Sequence, residues 1–303
     1  MIKRLLGKTT FIVGNKKNSG KTTFLNGALA GLREKGKIAY LSIGVDGETK
    51  DQIFGFNKPR VFAERGDHVV TLEETLKFTC AKFRKLKTFP YKSVLGRPVL
   101  IKIEDPANIE IIGPENNTQL SAIIKYLHGE LKIRTILVDG AINRITQVAS
   151  FGDAQFVYMC RVDPERVQGA ADELKRVVEL SRVPCHCEPR RGVAIPRVKL
   201  HKGDCFAYAR NDTLLFRGAL TPSKAAKIGP AAKKVVVEDF TKVFLNYKEL
   251  QKFSRSHKLY FQNGFKLSFA VANLFGVERA KFLKALSDNK LAKKLVINEI
   301  GAG

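Results

Sequence analysis

Along the first half of the chain the hydrophobic pattern switches between two periods. Short, continuous apolar or β-branched runs predict strands at residues 10–14 (TFIVG), 38–43 and 135–139 (TILVD). A run with no polar alternation fits a strand covered on both faces, as in a parallel sheet. Between these runs the spacing becomes helical. Phe24, Leu25, Ala28 and Leu32 fall on one face of a helix predicted over residues 21–35, and Gly36 supplies its left-handed stop. Residues 116–131 predict a second helix. Residues 98–103 and 109–113 predict two strands that pair as a hairpin through residues 104–108. Residues 154–162 predict a further strand, and Pro164 opens a helix reaching about residue 182. Residues 49–96 are less regular.

After residue 183 the texture changes. Residues 184–222 read as short strands and turns rich in Arg, Gly and Pro. From residue 233 the alternation returns, with strands at 235–238, 266–272 and 295–298 and helices at 247–257 and 277–288. Alternating strand and helix predicts the α/β class, a mainly parallel sheet flanked by helices. The change in composition places a boundary near residue 190. Residues 1–190 form the first domain, and residues 191–303 a β-rich segment followed by a C-terminal α/β region.

Composition narrows the picture. Hydrophobic residues are 44% of 303, enough for a packed core. No run approaches the roughly 18 apolar residues that span a bilayer, and the first residues do not read as a secretory leader. Five cysteines, an odd number, do not suggest a disulfide framework, so the expected compartment is the cytoplasm. The net charge of +24 is high enough to attract nucleic acid, acidic proteins or anionic lipid. The basic residues are dispersed, so they equally fit a lysine-coated surface.

One segment carries specific chemistry. VGNKKNSGKTT, residues 13–23, follows a predicted strand and opens a predicted helix, the context of a phosphate-binding loop. A helix N-terminus offers unpaired N–H groups and the positive end of the dipole to phosphate. The expected nucleotide contacts are Gly14, Asn15, Lys17, Asn18, Ser19, Gly20, Lys21, Thr22 and Thr23. Gly20 allows close backbone approach, Lys21 reaches the β- and γ-phosphates, and Thr22 places its hydroxyl on Mg²⁺. The usual first glycine lies six residues before the motif's Lys. Here that position is Asn15, and the glycine is Gly14.

Mg²⁺ requires further oxygen ligands. Asp139, in ILVDG at the end of a buried strand, is the expected second metal-side carboxylate. Arg144, just beyond it, is placed to sense phosphate or a partner. Asp46 and Glu48, in SIGVDGE, follow the second predicted strand, and a solvated acidic turn is one reading of them. No Asn-Lys-x-Asp guanine signature is present, so ATP is expected over GTP. Cys185, His186, Cys187, His201 and Cys205 include zinc-ligand residue types. Their spacing matches no finger or ribbon, and ordinary thiols in a β-rich segment are the expected reading. Residues 77–92 interleave Lys77, Lys82, Arg84, Lys85, Lys87 and Lys92 with Phe78, Phe83, Phe89 and Tyr91. This pattern fits an amphipathic helix with Phe inward, the expected reading, or a surface that stacks single-stranded bases.

KNSGKTT, residues 17–23, resembles the loop of MobB-type proteins of molybdenum-cofactor biosynthesis. It is also similar to the class containing nitrogenase iron protein, the arsenite-pump ATPase and dethiobiotin synthetase. That resemblance implies a homodimer in which Lys16 reaches the partner's nucleotide, with Lys17 a competitor for the role. Similarity to the nitrogenase-iron-protein class also implies that Asp46, with Glu48 in reserve, orients the attacking water or the metal. SIGVDGE, ILVDGAINR, FRGALT (216–221) and VVVEDFTKVF (235–244) extend the pattern. In this order they resemble the ATPase subunit of the lysine 5,6-aminomutase reactivase. This implies an ATP- and Mg²⁺-dependent chaperone-like ATPase that acts with a second reactivase subunit on a cobalamin-dependent aminomutase, an acidic partner. A MobB-like or kinase-type enzyme of cofactor biosynthesis and a nucleic-acid-linked P-loop protein remain as alternatives.

Overall fold

The computed structural model describes residues 1–43, 60–93, 96–140, 154–185, 206–209, 212–264, 266–287 and 294–300. The chain divides into two compact units, Met1–Arg161 and Val162–Gly303. The division precedes the boundary near residue 190 that composition suggested. The helix that follows Pro164 packs on elements from later in the chain, so it belongs to the second unit.

The first unit contains strands β1 (Thr9–Gly14), β2 (Ile38–Ser42), β3 (Val61–Ala63), β4 (His68–Leu72), β5 (Phe83–Thr88), β6 (Pro98–Ile103), β7 (Ala107–Ile109), β8 (Thr135–Asp139) and β9 (Gln155–Val162). Helix α1 (Lys21–Arg33) follows β1, and α2 (Asn117–Gly129) precedes β8. One sheet runs in the order β9-β1-β8-β2-β4-β6-β5. β9, β1, β8, β2 and β4 are parallel, β6 is antiparallel to β4, and β5 is antiparallel to β6. The expected mostly parallel sheet flanked by helices is therefore present. The sheet interior is apolar: Ile12, Leu41, Val70 and Val138 are fully buried.

Two local expectations are corrected. Residues 109–113 do not pair with residues 98–103. β6 already has β4 on one side and β5 on the other, so it has no vacant edge. Ala107–Ile109 pairs instead with Val61–Ala63 as a separate antiparallel pair. The basic-aromatic stretch is not a helix either. Its centre is β5, the edge strand of the sheet, and Phe78 is 81% exposed rather than inward.

Helix α1 buries Phe24, Leu25, Ala28, Leu29 and Leu32, and packs on β1, β2 and β8. Each fully buried Leu contributes about 1.5–3 kcal/mol of transfer free energy. Its last turn is anchored by charge. Arg33 donates to both carboxylate oxygens of Asp67, at 2.8 Å from Nη2 to Oδ2, and to Glu64 at 2.7 Å. Tyr40 donates its hydroxyl to the same Asp67 at 3.1 Å. Burial opposes the guanidinium charge, but Asp67 and Glu64 outweigh it and hold Arg33 above its ordinary value. Burial first, then Asp67, raises the Tyr40 phenol. Asp67 is 2% exposed, so its charge is stabilised by these donors rather than by water.

In the second unit, α3 (Val167–Leu180) packs on α4 (Tyr247–Ser256) and α5 (Arg279–Leu286). Lys175, almost buried, donates to the Ala285 carbonyl at 3.0 Å, satisfying the C-terminal end of α5. Arg176 donates to the carbonyls of Val243 and Leu245 ahead of α4. Strands β10 (Phe206–Ala209), β11 (Thr213–Phe216), β12 (Lys234–Val237) and β13 (Lys258–Phe261) form a four-stranded sheet in that order. β14 (Leu267–Phe275) and β15 (Leu295–Ile300) pair in parallel. Among the described residues no helix is long and apolar enough to cross a membrane.

His68 on β4 makes one consequence testable. Its proton affinity lies below that of an ordinary imidazole, first through burial and then through Lys102. His128 is lowered in the same way, by burial and then Arg134. Below about pH 6.5 the unfolded chain therefore binds protons that the folded chain refuses, and stability falls as pH drops. The urea midpoint should decrease between about pH 7.5 and about pH 5.5, and His68→Gln should lose less over that interval. An identical pH dependence in the variant would show that His68 does not contribute.

Candidate functional site

β1 lies between β8 and β9, and all three point their carboxyl ends the same way. In parallel α/β sheets that edge is where ligands bind, because the helices that follow the strands begin there and present their N–H groups and positive dipole ends. Gly14 ends β1, residues 15–20 form the turn, and α1 begins at Lys21. Gly20 is the N-cap, with φ 86° and ψ 19°, a left-handed conformation that glycine adopts without Cβ strain. No side chain caps α1, so its first N–H groups face the loop without a competing carboxylate or hydroxyl from a capping residue. Asn18 also has positive φ, 55°, a conformation that Asn tolerates better than most residues.

The two departures from the common motif have structural consequences. A Cβ at Gly14 would lie 2.1 Å from Ser19 Oγ and 3.3 Å from the Met159 carbonyl oxygen. Ser19 is fully buried, its hydroxyl folded back on the end of β1. The turn thus closes on a site that only a hydrogen can fill. Asn15 occupies the usual glycine position and uses its carboxamide on β9. Its Oδ1 accepts the Arg161 N–H at 3.0 Å, and its Nδ2 donates to the Arg161 carbonyl at 3.3 Å. Its own N–H donates to the Met159 carbonyl at 2.9 Å. The side chain thereby lengthens the β1–β9 ladder by one more pair of bonds before the chain turns away.

Of the remaining expected contacts, Lys16, Lys21 and Thr22 are half-buried, while Lys17, Asn18 and Thr23 are exposed. Lys16, Lys17 and Lys21 put three cations within or just after the turn. Asp139 ends β8, the strand adjoining β1, in register with both Ile12 on β1 and Ser42 on β2. Its backbone is fixed on both sides: Ile43 N–H donates to the Asp139 carbonyl at 2.9 Å, and Gly140 N–H donates to Ile12 at 3.0 Å. Its Oδ1 is shielded from solvent. The structure therefore brings the turn, the start of α1 and Asp139 to one edge of the sheet. Asp46, Glu48 and Arg144 lie outside the described residues, as do His186, Cys187, His201 and Cys205. Cys185 donates its thiol to the Gln262 carbonyl at 3.3 Å. Among the described residues no group of three or more His, Cys, Asp or Glu side chains could hold a metal ion.

Residues 110–113 also reach this edge, which the hairpin expected for residues 98–113 does not anticipate. Thr71 Oγ1 donates to the Glu110 carbonyl at 3.0 Å and accepts the Ile112 N–H at 3.2 Å. Gly113 then crosses the end of β2 so closely that a Cβ would meet the Ser42 carbonyl oxygen at 1.6 Å. The signal in the sequence was the pair Gly113-Pro114 after an apolar run, which marks a chain that must pass close and then turn.

Compared with protein-family profiles, curated proteins and solved structures, the chain matches none.

The geometry of the turn is testable through a pair of substitutions. Gly14→Ala should displace Ser19 and weaken binding of Mg-ATP by about tenfold or more, the loss expected when a phosphate-cradling backbone is misplaced. Ser19→Ala in the same chain removes the atom at 2.1 Å and should restore part of the affinity. Unchanged binding by Gly14→Ala alone would contradict the tight closure described.

Proposed function

We propose that the chain is a Mg²⁺-dependent P-loop nucleoside triphosphatase that uses ATP in preference to GTP. The observation that carries this reading is the uncapped start of α1. It opens at Lys21, directly behind a left-handed Gly20 and a turn with two lysines, beside the carboxyl end of a strand that terminates in Asp139. A triphosphate presents dense negative charge, and this edge supplies backbone N–H groups, a helix dipole and ammonium groups.

The residues divide the work as their chemistry dictates. The N–H groups of Lys21 and Thr22, at the start of α1, donate to phosphate oxygens. The Lys21 ammonium neutralises charge that builds on the terminal phosphates as the bond to the leaving group breaks. The Thr22 hydroxyl and the Asp139 carboxylate are the oxygen donors suited to Mg²⁺, Asp139 directly or through water. Bound Mg²⁺ supplies Lewis-acid stabilisation of the phosphate oxygens. Asp46 is the proposed water-orienting carboxylate. Closure of a protein dimer on nucleotide, with Lys16 crossing to the partner, is the proposed way in which hydrolysis is converted into work on another protein. The resemblance to the aminomutase reactivase supports a cobalamin-dependent aminomutase as that protein.

Lys21→Ala removes the ammonium while leaving the helix start intact, since Ala is a good helix former. It should weaken Mg-ATP binding or hydrolysis by at least about a hundredfold, with an unchanged thermal midpoint, by calorimetry and phosphate release. Binding as tight as in the parent would exclude the phosphate-loop reading. Stimulation of hydrolysis by an inactivated aminomutase would support the remodelling role, and indifference to it would remove that role while leaving the nucleotide site.

A further inference from the structure

The opposite edge of the first unit's sheet carries a second kind of electrostatic feature. Lys8, Arg134 and Lys37 immediately precede β1, β8 and β2. Further along, Arg84 on β5 lies in register with Lys102 on β6, which lies in register with His68 on β4. Cations therefore recur along the amino-terminal ends of the parallel strands and onto the antiparallel edge. With neighbouring strands about 4.8 Å apart, the row from β1 to β5 extends about 24 Å.

At its β5 end the row opens into a groove of about 450 Å³, lined by Arg65, Lys82, Arg84, Lys102, Glu104 and Asp105 among others. Asp105 is occupied by two of these cations, Lys82 at 3.1 Å and Arg65 at 3.5 Å. Its carboxyl is held below the usual range, chiefly by Lys82. Arg84 and Lys102 make no ion pair among the described residues, although they are direct cross-strand neighbours. Like charges placed opposite one another cost stability unless an anion bridges them. His68, next in the row, adds a buried Nδ1 with no hydrogen-bond partner among the described residues.

Two exposed aromatic residues lie a few positions away in sequence from residues that line the groove. Phe62, 46% exposed, is the β3 partner of Asn108 on β7. Thr79 donates its hydroxyl to the carbonyl of the same Asn108, which brings Phe78, 81% exposed, to that residue. Phe62 lies three residues before Arg65, and Phe78 four before Lys82. Both rings thus sit within four residues, along the chain, of a cation that lines the groove. They fit a ligand that offers both phosphates and flat apolar faces.

We propose that this edge binds single-stranded nucleic acid, with Arg84 and Lys102 on the phosphates and Phe62 and Phe78 stacking bases. An acidic protein would satisfy the cations and not the rings, and a duplex would hide its base faces. The site is distinct from the nucleotide loop, which lies at the other end of the strands.

The test uses the full chain and fluorescence anisotropy with a labelled oligo(U) of about 20 nucleotides, a duplex of the same length and poly-glutamate as competitors. The single strand should bind more tightly than the duplex, and affinity should fall steeply with salt. Arg84→Gln with Lys102→Gln should weaken binding at least about tenfold and reduce the salt slope by about one to two. Phe78→Ala should weaken it about tenfold with the slope unchanged. Neither variant should lower the thermal midpoint, because one relieves like-charge repulsion and the other removes an exposed ring. Mg-ATP binding should also be retained. No binding of oligo(U), equal binding by the variants, or stronger competition from poly-glutamate than from oligo(U) would overturn the proposal. The last result would reassign the edge to an acidic protein.

Discussion

Parallel pairing of β1 on both of its edges is the constraint on which the rest of the first unit depends. β8 holds one side from Thr9 to Ile12 and β9 holds the other from Thr10 to Gly14. With both edges occupied, the end of β1 cannot shift, and the chain must leave the sheet at one fixed point. Asn15 sharpens that exit by using a side chain where the backbone ladder stops. The turn that follows then has little freedom. Ser19 is packed against Gly14, Gly20 takes a left-handed conformation, and α1 starts with its N–H groups at the strand ends. The same pairing brings Asp139 to that edge, because β8 is the neighbour of β1.

The far end of α1 is fixed by a different interaction, the Arg33–Asp67 pair with its Tyr40 hydroxyl. Helix α1 is therefore fixed at one end by the strand it follows and at the other by a buried ion pair. The two edges of the sheet carry positive charge in different forms. At the carboxyl edge it consists of a helix terminus and a few lysines around a compact turn, suited to one small polyanion. At the amino edge it is a row of side chains on successive strands, suited to an extended one. The high net charge of the chain is thus partly organised by the topology, since the residues before parallel strands all emerge on one side.

Much of this architecture was legible in the sequence, and the gaps have physical causes. β1, α1, β2, α2, β8 and β9 carry long apolar runs or clear helical spacing, and each was anticipated within a few residues. Strand β4 escapes local reading because HVVTL holds only three apolar residues and begins with a buried histidine that reads as polar. β5 reads as helical because in FRKLKT its two apolar residues, Phe83 and Leu86, are spaced as on one helix face, and its position at the sheet edge leaves Arg84 and Lys85 in solvent. The pairing of β7 with β3 depends on both edges of β6 being occupied, which no local pattern reveals. At the candidate site, the sequence pattern places Gly20 and Lys21 at a strand-to-helix turn and Asp139 at a strand end, and the structure has them there. The pattern could not show that Asn15 serves β9 or that Ser19 turns inward, because both depend on contacts with residues far along the chain.

Hydrogen exchange with and without Mg-ATP reads the proposed binding edge directly. The amides spanning Gly14 to Phe24, which include the uncapped start of α1, should gain protection on adding nucleotide, while those of β5 and β6 at the opposite edge remain as they were. Protection confined to the Arg84 and Lys102 edge, or no change around Gly20 and Lys21, would contradict a phosphate-binding loop at the end of β1.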